Sequence, residues 1–284
     1  MHAELESVYR RVHCSASLTA GGRVDPLYFP RLFESPSDQE AVAWIASSLA
    51  FGRVETIGDS IRWILARIAE TGISPGELMG EFHPREHKGL LDGLVHRWVR
   101  GRDLELFLWR SRCLIDRYGS LESAFVALDD PEVPNVRSGL IGLSSEFLSM
   151  SPGPYKETRG SRYLLPNVAL GSASKRVNLF LRWVVRPADG VDLGLWRRVS
   201  PARLVVPVDT HIARIARFVG FTRRATVNWA MAEEITAALA RFDGDDPVRF
   251  DFALCHLGIL GNCPSHRDEE LCRECQLLNH CTAT

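Results

Sequence analysis

The chain reads as an all-α protein on three observations. Apolar residues recur at helical spacing through most of its 284 residues, as in Val42, Ile45 and Leu49 or Ile57, Ile61, Ile64, Leu65 and Ile68. Gly, Pro and small polar residues punctuate those stretches where helices start and stop. No alternation of apolar and polar residues persists beyond a few positions, and no internal repeat is evident.

Residues 1 to 35 are expected to form one short helix and a loop closed by Pro26 and Pro30. Ser37-Asp38 can cap a helix that ends in Ala50-Phe51-Gly52-Arg53, and a second helix then runs to Thr71-Gly72, making a helical hairpin. Prolines and glycines near 75 and 84 break the pattern before Leu91, Leu94, Val95 and Trp98 resume it. Helices follow over 103–118, from Ser120 to Leu128 and over 136–150, with a turn at 129–134. Ser151 to Asn167, with Pro152, Gly153, Pro154, Gly160 and Pro166, reads as a loop carrying Lys156, Arg159 and Arg162. Ser174 to Arg186 is a helix with Val177, Phe180, Leu181 and Val184 inward. A connector, 187–207, leads to a helix over 210–219 that Asp209 caps and Gly220 ends. Thr226 caps a helix through Phe242, and Asp246-Pro247 opens another through Leu260.

A chain this long with 45% hydrophobic residues can bury the core of one large domain or two smaller ones. Its start, Met1-His-Ala-Glu-Leu-Glu, is not basic and leads into no apolar run. No window reaches the roughly 18 apolar residues of a membrane span, so a soluble, unsecreted protein with no membrane partner is expected. Formal net charge is -1, which excludes a generally basic nucleic-acid binder, but the charge is unevenly spread. From Lys156 to Arg224 there are fourteen Lys and Arg against four acids, +10 in that segment and -11 elsewhere. Such a segment is an electrostatic footprint for phosphates, or else a solvated helix face.

Cys14, Cys113 and Cys255 lie in apolar surroundings and read as small core residues. Cys263, Cys272, Cys275 and Cys281 crowd together in the pattern C-x8-C-x2-C-x5-C. Without a secretory signal this points to a metal rather than to disulfides. Structural zinc favours two short-spaced pairs, and only Cys272 and Cys275 make one, so a 4Fe-4S cluster is preferred and zinc is the alternative. Either would fold a terminal segment whose Arg267, Asp268, Glu269 and Glu270 cannot form a core.

A helical chain with Val208-Asp209-Thr210-His211-Ile212, followed by a helix and a four-cysteine terminal loop, resembles the helix-hairpin-helix DNA glycosylase superfamily in its endonuclease III branch. That family's loop is usually C-x6-C-x2-C-x5-C, two residues shorter after the first cysteine. Its hairpin reads L-P-G-V-G-R-K-T-A-N, against Ala169-Leu170-Gly171-Ser172-Ala173-Ser174-Lys175-Arg176-Val177-Asn178 here. The first glycine, the lysine and the asparagine fall in register, while Ala173 stands where the family has its second glycine. The resemblance implies that Gly171, Ser172, Ala173, Ser174 and Arg176 approach a DNA phosphate at a helix N-terminus. Lys175 then matches the lysine that attacks the sugar C1′ in glycosylases with lyase activity. An amine attacks only when neutral, a form that an adjacent cation such as Arg176 favours. Asp209 matches the family's aspartate, a carboxylate kept ionised by the helix dipole and backbone N–H groups. By itself each residue also fits a plain role, an exposed lysine and an N-cap, and His211 reads as structural. Phe51 and Arg53 occupy the loop where the glycosylases insert a wedge beside a flipped base, or else belong to the core and the surface.

The family separates its lysine and aspartate by about half the 34 positions found here. A longer connector also occurs in the archaeal 8-oxoguanine glycosylases. More of the chain looks like a bacterial family of unassigned function, DUF2400. The stretches that carry this likeness are Ser172-Ala-Ser-Lys-Arg-Val-Asn-Leu-Phe-Leu-Arg-Trp183, Val191-Asp-Leu-Gly-Leu-Trp196 and Asp246-Pro-Val-Arg-Phe-Asp-Phe-Ala-Leu254.

Together these readings imply a two-lobed glycosylase-like fold, with residues 36–186 as a helical bundle ending in the hairpin. Residues 1–35 and 187–284 make the second lobe, and Lys175 and Asp209 face each other across a cleft. The implied activity is that of a DNA glycosylase and abasic-site lyase, a monomer in the cytoplasm and associated with the nucleoid. Its partner is double-stranded DNA with a damaged base or abasic site. The alternatives are an 8-oxoguanine-type glycosylase without efficient lyase activity and a non-catalytic DNA-binding or damage-sensing protein.

Overall fold

The computed structural model describes residues 1–14, 18–19, 24–259 and 262–283. Helix dominates, and among these residues strand is confined to one hairpin, Val95–His96 paired antiparallel with Val99–Arg100.

The chain opens with α1 (His2–Cys14), then two 3-10 turns, Pro26–Tyr28 and Pro30–Leu32. Helix α2 (Pro36–Ser48) starts with its proline at the first turn and Ser35 as N-cap, so it begins before the expected Ser37-Asp38 cap. The Asp38 carboxylate has another use, accepting from Gly76 N at 2.8 Å. Helix α3 (Val54–Ala69) completes the expected hairpin. The stretch that sequence left irregular holds α4 (Pro75–Glu81) and the single turn α5 (Pro84–His87), then the strand hairpin. Ser74 and Glu77 form a capping box at the start of α4. Helices α6 (Gly101–Tyr118), α7 (Leu121–Leu128) and α8 (Arg137–Ser149) follow as expected. The basic loop differs from expectation: Thr158 accepts from Ser161 N and starts α9 (Arg159–Leu164). Then come α10 (Lys175–Val185) and α11 (Thr210–Phe218). Helix α12 (Trp229–Ala240) is capped by Asn228, which accepts from Met231 N, and not by Thr226. After Asp246 a 3-10 turn, Pro247–Phe250, precedes α13 (Asp251–Ile259). The expected end of that helix, Leu260, lies outside the described residues. A short α14 (Glu269–Arg273) sits within the cysteine segment.

The chain forms two compact units. The larger comprises Leu18–Ala169 with Trp183–Val199, and the smaller comprises Met1–Ser17, Leu170–Arg182 and Ser200–Thr284. Sequence drew the boundaries at 36 and 187; the units instead group residues 18–35 with α2–α9, and most of α10 with the C-terminal helices. In the larger unit α2 packs on α4, and α6 packs on α4, α7 and α9. Buried Trp44 stacks on Phe107 with ring centroids 5.1 Å apart and donates from Nε1 to Ser111 Oγ at 2.9 Å. Such a partner is what a buried indole N–H requires. In the smaller unit α13 packs on both α1 and α11. The α11 contact is close: a Cβ on Gly258 would lie 2.6 Å from His211 Nδ1. His211 is thus held in a helix packing, which agrees with its structural reading.

Candidate active site

Two helix starts in the smaller unit bring Lys175 and Asp209 together. Lys175 is the first residue of α10, and Asp209 is the N-cap of α11. Asp209 Oδ1 accepts from the backbone N–H groups of His211 and Ile212, each at 2.9 Å. That cap fixes the carboxylate plane and leaves Oδ2 to face other partners. Lys175 Nζ lies 3.6 Å from Oδ2, with 36% of the lysine side chain and 15% of the aspartate side chain exposed. The amine is therefore reachable from solvent while the carboxylate beside it is mostly enclosed. Cys255 Sγ of α13 donates to the same Oδ2 at 3.5 Å. Burial, then the charges of Asp209 and Asp251, push the Cys255 thiol well above its ordinary range. It therefore stays a neutral donor to the carboxylate.

The turn before α10 has an unusual backbone. Gly171 has φ +78° and Ser174 has φ +46°. The left-handed conformation that the hairpin resemblance would put at the second glycine falls one residue later, on Ser174, while Ala173 is buried. Ser174 holds this conformation by donating from Oγ to Ser172 O, and its N–H donates to Ser172 Oγ, both at 3.2 Å. Asn178, 1% exposed, donates from Nδ2 to Ala173 O at 3.1 Å and ties the turn to α10. Gly171 O accepts from Trp229 N at 3.0 Å. Leu170, 83% exposed, is an apolar side chain at the edge of this turn that no periodicity could have marked.

Two turns along α10 from Lys175, Arg182 forms an ion pair with Asp251 at 2.6 Å, and both are buried. This pair accounts for part of the basic segment. Arg186 pairs with Asp189 and Asp192, Arg162 with Glu157, and Arg224 with Glu234. Arg217 donates to two backbone carbonyls, Arg224 O and Ala225 O. Of these partners only Asp251 and Glu234 lie outside the segment, so they lower its formal +10 to +8, while burial withdraws Arg182 and Arg186 from the surface.

The cysteine segment is anchored to α11. Arg214 Nη2 donates to Cys263 O at 2.6 Å, and Thr282 N donates to Phe218 O at 2.7 Å. Cys275 N donates to Cys272 O at 3.0 Å, closing the short pair. Burial raises the Cys263 thiol, against the pull of Arg214, and Cys275 and Cys281 raise it further. Burial likewise raises Cys275, which also feels Cys281 and Cys272. The donor set fits a thiolate-bound metal in kind, with Cys263 in electrostatic reach of Cys275 and Cys281, and Cys275 of Cys272 and Cys281. Among the described residues, however, no three His, Cys, Asp or Glu side chains gather closely enough to hold an ion. Cys113 and Cys255 are half-buried, and the side chain of Cys14 lies outside the described residues.

Residues 25–260 match the family described as protein of unknown function (DUF2400). The chain belongs to this family. No curated protein and no solved structure matches it. The DUF2400 match includes Lys175 and Asp209 and stops short of the four cysteines, which begin at Cys263. No helix among the described residues is long and apolar enough to cross a membrane.

The remaining expected contacts of this DUF2400 protein lie in the larger unit. Phe51 is not a free wedge: its ring meets His96 edge-on at 4.6 Å, Tyr163 edge-on at 4.7 Å and Trp98 at 5.4 Å. Arg53 is 86% exposed and 3.9 Å from Glu55. Lys156 is exposed, and Arg159 lies over the Trp98 ring at 5.2 Å. Sequence missed Cys255 as a neighbour of Asp209, because 46 residues separate them and a lone cysteine on an apolar helix carries no signal. It also missed the Phe51–Trp98 cluster, which joins three segments that are distant along the chain.

Proposed function

We propose that this protein is a DNA base-excision enzyme, a glycosylase with abasic-site lyase activity that works through Lys175. The observation that carries this reading is the 3.6 Å approach of Lys175 Nζ to a fixed carboxylate, between residues placed 34 positions apart on two helix starts. Asp209 accepts a proton from Nζ, and the neutral amine attacks C1′ of the damaged nucleotide. The bond from C1′ to the base breaks, and the base leaves with the electron pair and takes up a proton. Nζ and C1′ then form an imine with opening of the sugar ring. The imine acidifies the C2′ proton, whose removal expels the 3′-phosphate and cuts the strand. We assign Cys263, Cys272, Cys275 and Cys281 to a 4Fe-4S cluster, with zinc as the alternative. When bound, this group supplies folding energy to the terminal segment.

Borohydride trapping tests the proposal. The chain incubated with an abasic-site duplex is expected to give a covalent adduct that Lys175→Ala abolishes. Binding without an adduct removes the lyase step. It would favour the second reading, in which the ion pair braces two helix starts in a non-catalytic DNA-binding protein. Iron and sulfide analysis tests the metal, since a colourless protein with stoichiometric zinc rejects the cluster.

A further inference from the structure

The strand hairpin of the larger unit turns in two residues, Arg97 and Trp98, between paired His96 and Val99. Arg97 has φ +56°, a conformation that the first residue of such a turn takes when it is glycine. Arginine occupies the position nevertheless, and its guanidinium lies over the Trp98 ring at 4.9 Å. Arg159, from α9, lies over the same ring at 5.2 Å. Neither Arg97 nor Arg159 has a carboxylate partner among the described residues, and both are exposed. An arginine seated on an aromatic ring is held in place with its charge uncompensated, whereas one paired with a carboxylate has that charge offset.

The support beneath them is rigid. Arg100 Nη1 donates to Arg97 O at 2.6 Å and to Val99 O at 3.2 Å. His96, fully buried, bridges Ser60 Oγ at 2.9 Å and Phe51 O at 3.1 Å. Gly52 has φ +100°, and a Cβ there would sit 3.2 Å from Arg97 Cδ, so the loop after α2 makes room for the arginine stem. Phe51, Trp98 and Tyr163 are each half-buried, in mutual ring contact, and Trp98 Nε1 has no acceptor among the described residues.

We infer that Arg97, Trp98 and Arg159, with Phe51, Tyr163 and exposed Arg53, form a binding surface for unpaired nucleotides of a single-stranded nucleic acid. Exposed arginines fixed on a half-buried aromatic ring offer the two contacts such a strand needs, cations for phosphates and flat guanidinium planes on which bases stack. An acidic peptide would use the charges and leave the rings without a role. The inference shares the nucleic-acid partner with the proposed function but not its chemistry, which belongs to the other unit.

The test is fluorescence anisotropy of a labelled single-stranded oligothymidylate with the full chain, alongside the same length of duplex. Single strand is expected to bind at least tenfold tighter than duplex, and Arg97→Gln/Arg159→Gln to weaken it at least tenfold. The same pair of changes should make the salt dependence shallower by roughly 0.7 per lost phosphate contact. Arg117→Gln, an exposed arginine of the same unit paired with Glu146, is expected to change nothing. Equal affinity for duplex, or a double variant within twofold of wild type, overturns the inference. Should the double variant melt early, the single surface change Arg159→Glu decides in its place, with a tenfold loss expected and an unchanged affinity overturning. Binding beside Trp98 has its own readout, since the strand should quench tryptophan fluorescence in wild type and less in Trp98→Phe. Lys175→Ala is expected to bind single strand normally. Wild type that binds single strand but never traps an abasic-site duplex sinks only the lyase proposal, and wild type that traps but does not prefer single strand sinks only this one.

Discussion

In α10, Lys175 faces Asp209 and Arg182 faces Asp251, whereas at the strand hairpin Arg97 and Arg159 rest on a tryptophan. The first arrangement consumes charge locally and fixes geometry. The second fixes geometry and leaves the charge directed outward. A sum of formal charges along the chain does not separate the two regions, because it counts buried Arg182 and exposed Arg159 alike within one basic segment. A cation's counter-ion matters more than its neighbours in sequence.

The comparison can be broken most sharply at Lys175. If the pairing serves chemistry, Lys175→Ala removes the borohydride adduct entirely while stability falls by no more than about 1 kcal/mol, as for a part-exposed pair. A variant that loses several times that stability and traps nothing would make the residue a brace. Arg182→Ala comes next, since removing one member of a buried ion pair typically costs about 3–5 kcal/mol, readable as a lower denaturant midpoint. A loss under about 1 kcal/mol would show that Asp251 finds another partner.

A smaller effect is expected at Cys255. Burial raises its thiol, so at pH 8 iodoacetamide should modify it far more slowly in the native chain than in the unfolded one, as followed by peptide mass mapping. Equal rates would remove the hydrogen bond to Asp209 from the account. The smallest effect is on acid stability. The hydrogen bond from Arg110 holds the Glu157 carboxyl below its ordinary value. A depressed carboxyl contributes stability that is full above its unfolded pKa and lost as pH falls through the folded one. Glu157→Gln should therefore cost a little at neutral pH, under about 1 kcal/mol because the group is part-exposed, and nothing in strong acid.

Much of the helical frame was legible because capping and periodicity are local. Leu121–Leu128 after Ser120, and Thr210–Phe218 after Asp209, fall where their caps predict. The misses have local causes too. Thr226 loses the cap of α12 to Asn228, whose side chain reaches Met231 N, and α9 hides in a stretch whose prolines and glycines outweigh six helical residues. The strand hairpin was invisible because two residues per strand are too few to alternate. Lys175 and Asp209 could be named from motif register. Cys255, Leu170 and Trp98 could not, since their positions depend on packing between distant segments.

Helix α11 runs from Asp209 at its cap to Phe218, about 13 Å at 1.5 Å per residue for its nine residues. The terminal cysteine segment is fastened to its far part, at Arg214 and Phe218. A rod of two and a half turns has little room to flex, so tightening or slackening the tail would tilt the carboxylate cap as a lever tilts its tip. The amine of Lys175 is 3.6 Å from that tip, so the tail's fastening and the candidate pair share one short rod.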